Sequence, residues 1–123
     1  MTQLRFLAAA GPAEAIGRLS DALCERNTAS LEPILRLPRL AAWVVPGTPH
    51  VQARDGMAVA VGVVFDRMSG HRLALLPDPL PPPDAFTERF WGAYVLLATN
   101  AQGNHGILRD PSGMFTAYHR RCG

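Results

Sequence analysis

The chain has 123 residues, 48% hydrophobic and 18% charged, which fits one ordinary folded domain and excludes a disordered tail. Its net charge of +2 is too small an excess to argue for nucleic acid or an anionic membrane as partner. All 12 basic residues are arginine, so a P-loop lysine, a Schiff-base lysine and a lysine general base are excluded outright.

No stretch reaches the roughly 18 to 20 apolar residues of a membrane span. Residues 1–10 hold one arginine and an apolar run too short for a signal peptide, which predicts a cytoplasmic protein with no membrane partner. Cys24 and Cys122 are too few for a disulfide framework and read as free thiols, Cys24 in the core.

Residues 2–9 read as a first strand. Gly11-Pro12 then opens a helix, with proline near the first helical position, where its missing N–H costs nothing. Ile16, Leu19 and Leu23 recur at helical spacing, with Cys24 on the same apolar side and Glu14, Arg18, Asp21 and Glu25 elsewhere on the wheel. Asn27 reads as the C-cap. Pro33 and Pro38 predict a connection, after which the period becomes that of strands. Leu40–Val45 ends at the turn pair Pro46-Gly47, Val51–Arg54 is short, and Asp55-Gly56 signals a hairpin. Met57–Phe65 is continuously apolar, the pattern of a strand covered on both faces. Ser69-Gly70 turns the chain into a strand over His71–Leu76. Residues 77–83 form a proline-rich connector, read as a spacer, with a ligand for a polyproline-reading module as the alternative. Asp84 caps a helical turn through Phe90. Strands follow at Tyr94–Ala98 and Ile107–Arg109 around the loop 100–104, and a last one at Met114–His119. The sum is a single strand-rich α+β domain over residues 1–123, with one long helix.

Few constellations carry chemistry. His50, His71, His105 and His119 have no metal-ligand spacing, so no metal is expected. Neither a Gly-x-Ser-x-Gly elbow nor a Gly-x-Gly-x-x-Gly loop is present. Ser69-Gly70 and Ser112-Gly113 lack the continuation of a pyrophosphate-binding loop, so the chain alone is not expected to bind ATP. Trp43 and Trp91 read as core or interface anchors. The informative segment runs from Phe90 to His119: a hairpin whose second strand ends in Arg109-Asp110 at a tight turn. Asp110 is placed to accept the turn's N–H groups, Arg109 to pair with a carboxylate, and Gly113 to supply the free φ.

The order Gly92-Ala93-Tyr94, apolar strand, turn, apolar strand, Arg109-Asp110-Pro111-Ser112-Gly113, then Tyr118 resembles the N-terminal glutamine-amidotransferase domain of asparagine synthetases. Within that family Leu108–Gly113, followed by Tyr118-His119, is most similar to the asparagine-synthetase-like cyclases of lasso-peptide pathways. Upstream, Val59–Arg67 is similar to the strand that carries the family's Asn-Gly pair. The likeness runs over residues 57–121.

The resemblance implies the N-terminal-nucleophile (Ntn) hydrolase fold: stacked antiparallel sheets with flanking helix, here in a reduced version. Because the chain stops straight after a strand, C-terminal truncation of a longer natural protein is expected. Family amidotransferases hydrolyse glutamine with an N-terminal cysteine and hold the oxyanion with an asparagine and a glycine. Here Thr2 follows Met1. Gly62 matches the oxyanion glycine, but Val61 before it has no donor, and losing one such donor typically costs about 10²- to 10³-fold in rate. The expectation is a vestigial, non-hydrolytic domain. Its one nucleophile candidate is Thr2 after removal of Met1, and Arg109, Asp110, Gly113 and Tyr118 are structural. No cofactor is expected in this chain. ATP and Mg are implied only for a synthetase domain that activates an Asp or Glu side chain of a precursor peptide for isopeptide ring closure. That domain and the peptide are the expected partners. The rival readings are a freestanding binding module of the same fold and an N-terminal-threonine amidohydrolase.

Overall fold

In chain order the elements are β1 (Phe6–Ala10), α1 (Ala13–Arg26), β2 (Glu32–Leu37), β3 (Leu40–Val44), β4 (His50–Gln52), β5 (Ala58–Asp66), α2 (Pro83–Arg89), β6 (Phe90–Thr99) and β7 (His105–Arg109). They come from a computed structural model that describes residues 6–26, 31–99 and 104–110. The strands form two antiparallel sheets, ordered β1-β3-β2 and β4-β5-β6-β7.

Alternation of side chains along the strands decides how these layers stack. Leu40, Ala42 and Val44 of β3 share one apolar core with Val59 and Val61 of β5 and Val95 and Leu97 of β6, so the two sheets lie face to face. The alternate residues Ala41 and Trp43 turn outward and meet Ile16, Leu19 and Leu23 of α1. On the far side of the second sheet, Ala58, Ala60 and Val64 of β5 and Tyr94 and Leu96 of β6 pack with Phe86 of α2 and with Leu76. The order is helix, sheet, sheet, helix, and β5 and β6 are apolar on both faces because both are covered. A hydrogen bond from Gln52 Nε2 to the Ile34 carbonyl (2.8 Å) ties β4 to β2 across the sheets. The chain crosses between the sheets at a turn where the buried Thr48 donates through Oγ1 to the Val45 carbonyl at 2.6 Å.

Several expectations change. Pro33 lies in β2, not in a connection: β2 is an edge strand, its register slips between Pro33 and Leu35, and an edge tolerates a residue with no N–H to donate. Cys24 is exposed, because α1 seats Ile16, Leu19 and Leu23 on the sheet and the next residue is turned about 100° away from Leu23. The segment 71–76 is no strand but a single bridge, Arg72 to Phe65, flanked by bonds from Asp66 N to His71 O (2.9 Å) and Leu73 N to Val64 O (2.8 Å). Pro82, not Asp84, stands at the N-cap of α2 with no side-chain cap bond; Pro83 starts the helix, and Asp84 sits in its first turn. β6 begins four residues earlier than expected, since Phe90–Ala93 continue the ladder with β5. Asn27, the start of the first strand before Phe6, and the strand 114–119 lie outside the described residues.

Candidate functional site

Three of the residues named from sequence meet across the second sheet. Gly62 of β5 pairs with Tyr94 of β6, and the Asp110 N–H donates to the Tyr94 carbonyl at 3.1 Å. Gly62, Tyr94 and Asp110 therefore form one row over three adjacent segments. Thr2, Gly113 and Tyr118 lie outside the described residues.

Gly62 has a geometric reason to be glycine. Its φ is +118°, a conformation L side chains rarely adopt, and a Cβ there would run into the carbonyl oxygen of Ala93. Gly92 on β6 is its counterpart, with φ +139° and its missing Cβ aimed at the Val63 carbonyl. The Gly62 N–H donates to the Pro49 carbonyl at 2.8 Å and the residue is buried. The Val61 side chain is packed between the sheets. In this arrangement neither position presents a donor to a substrate oxyanion.

Tyr94 is fully buried, its ring edge-on to Phe86 at 5.6 Å, and its hydroxyl makes no hydrogen bond among the described residues. Burial pushes the phenol above its ordinary 10.0, and the Asp110 carboxylate adds to the shift while the Arg67 cation opposes it. Asp110 is only 3% exposed. Arg109, one residue before it, points the other way by strand alternation; it is exposed and makes no ion pair among the described residues. The Arg109-Asp110 pair thus divides its members, one anchored beneath the hairpin and one offered to solvent.

A second feature was read in sequence only as an anchor. Trp91 stacks on Phe65, with ring centroids 4.7 Å apart and planes at 22°, yet it remains 48% exposed. A hollow of about 60 Å³ between Arg54, Asp55, Pro77, Asp78, Leu80 and Thr99 is far below the roughly 300–1,000 Å³ of an ordinary metabolite cleft. Among the described residues no group of three His, Cys, Asp or Glu is placed to hold a metal ion, and no helix is long and apolar enough to cross a membrane.

Comparison with protein-family models, with curated proteins and with solved structures found no match. The sequence places Tyr94 in the motif, but its surroundings come from residues far off in the chain and are missed. The usable signal was the glycine inside each of two apolar strands, Gly62 and Gly92, which marks a close backbone approach.

Proposed function

We propose that this chain is a non-hydrolytic, amidotransferase-like domain of the Ntn type that serves an ATP-dependent amide ligase, most like a lasso-peptide cyclase, as a scaffold. The observation that carries the non-hydrolytic part is at Gly62: the N–H that an oxyanion would need is occupied by Pro49 O, beside a valine that has no donor. Support for the Ntn part comes from the helix–sheet–sheet–helix layering together with the motif resemblance over residues 57–121. On this reading a separate synthetase half uses ATP and Mg to adenylate an Asp or Glu side chain of a precursor peptide, with release of pyrophosphate. The peptide's α-amine then attacks, releasing AMP and closing the isopeptide ring. This chain contributes no reacting group and shapes or covers that site.

The test is association. A synthetase half from the same source is expressed alone and mixed with this chain, and complex formation and ring closure are followed by gel filtration and mass spectrometry. Binding with a rise in ring closure is expected; no binding and no change would sink the scaffold role. A parallel glutaminase assay is expected to show no turnover, and ammonia release that depends on Thr2 would favour the N-terminal-threonine amidohydrolase. The freestanding binding module is favoured by the exposed Trp91 and predicts a stable monomer that ignores the synthetase half.

A further inference from the structure

The second sheet outruns the first. β5 and β6 have nine and ten residues, against five or six in β1, β2 and β3. The core between the sheets takes in Val59, Val61, Val95 and Leu97 of these strands, with the partly buried Ala93 packed at its edge. Phe65 and Trp91, farther along the same face, lie beyond it, Phe65 half-buried and Trp91 48% exposed. On the other side of β5, the bridge from Phe65 to Arg72 places Arg72 in the same row and on the same face, because directly paired residues project together. Arg72 is exposed and makes no ion pair among the described residues. Asp66, next along β5, belongs to the opposite face, where Arg89 holds it at 3.8 Å.

We infer that the Arg72–Phe65–Trp91 row is a docking ledge for an extended peptide segment of a partner protein, which lays a large apolar side chain on the aromatic stack and presents a carboxylate to Arg72. A ring half in water contributes little to the core, whereas two stacked rings limit each other's motion and lose less entropy on binding than a lone ring would. A guanidinium that makes no ion pair among the described residues can match a carboxylate in bidentate fashion. Three adjacent segments span about 10 Å. An extended peptide sets side chains i and i+2 about 7 Å apart on one face, and the arginine stem covers the remainder. Nucleic acid fits less well: phosphate binding draws on several cations tracking a backbone, and the row offers one. This surface is independent of the amide-ligase proposal.

Trp91 is itself the reporter, since Trp43 is buried. The full chain is titrated with a capped hexapeptide carrying one phenylalanine and, two residues later, one glutamate, and tryptophan emission is read. A saturable change is expected. Arg72→Gln, at an exposed position, is expected to weaken binding about tenfold, the loss of one charge-assisted contact. A peptide with glutamine for the glutamate is expected to lose the same factor and to be indifferent to Arg72→Gln. Trp91→Ala, followed by calorimetry with its fold checked by circular dichroism, is expected to abolish binding. The inference is overturned by no saturable binding, or by equal affinity of wild type and Arg72→Gln. It is also overturned if acrylamide fails to quench Trp91 in the free chain, meaning that the chain covers its own ledge. Two further results count against it: a single-stranded oligonucleotide binding where the peptide does not, and self-association lost in Trp91→Ala, which makes the occupant a second copy.

Discussion

Adding one methyl group at two different glycines should move stability in opposite directions. In Gly62→Ala the new Cβ must accept φ +118° and meets the Ala93 carbonyl. A side chain held in a sparsely populated backbone region costs about 1–3 kcal/mol. Forcing extra volume against a packed partner costs about another 1–3. The carbonyl in the way is backbone at the centre of the β5–β6 ladder, which has no flexible end to swing aside. The expected loss is about 2–6 kcal/mol, out of a total that for such domains is about 5–15. Gly17 in α1 is exposed with nothing near its missing Cβ, so Gly17→Ala should gain about 0.5–1 kcal/mol from helix propensity and a less disordered unfolded chain. Urea unfolding followed by circular dichroism reads both, with unchanged m-values as the check on two-state behaviour. At several degrees per kcal/mol, Gly62→Ala should also lower Tm by roughly 10 °C or more. If Gly62→Ala unfolds within about 0.5 kcal/mol of wild type, close approach is not why this position is glycine, and a chemical reason must be sought.

Three further outcomes are expected. The Tyr94 phenol is held above 10.0 in the folded chain, so its contribution to stability is constant below that pH and is lost as pH rises past it, when the unfolded chain releases a proton that the folded one retains. Tyr94→Phe should remove that alkaline fall and leave neutral-pH stability equal or higher, because the lost hydroxyl has no hydrogen bond among the described residues; an alkaline limb unchanged in the variant counts against the assignment. Asp110→Ala should lower stability by about 1–3 kcal/mol through loss of the contacts of a buried carboxylate, and unchanged thermal unfolding would refute its anchoring role. Cys24 is exposed, so a Cys122→Ser chain should react with a thiol reagent without unfolding; labelling that appears only in denaturant would return Cys24 to the core.

Much of the layering was legible because it rests on periodicity. Met57–Phe65 is apolar without a break, and β5 is covered on both sides; Ile16, Leu19 and Leu23 keep helical spacing, and α1 seats them on Trp43. The misreadings share a cause, which is neighbours remote in sequence. Pro33 breaks a strand only if its N–H is needed, and whether β2 is an edge is not written in residues 32–37. Helical spacing puts Cys24 on the apolar side of the wheel, whereas the sheet contacts a narrower stripe. His71–Leu76 looked like a strand but finds a single rung on β5. The candidate site was half visible: Gly62 and Asp110 were marked, but that both adjoin Tyr94 depends on register between distant strands.

The paired glycines have a consequence for tracing ancestry. Each occupies the space over a backbone carbonyl of the other strand, so neither can acquire a side chain unless β5 and β6 separate, and drift at either is penalised. A chain that inherits this crossing is bound to keep glycine at both places, 30 residues apart (92 − 62), however far the remainder diverges. Two apolar strands of one antiparallel pair, each broken by one glycine facing the other's carbonyl, are a fingerprint dictated by geometry. It offers a way to find kin where overall similarity has faded.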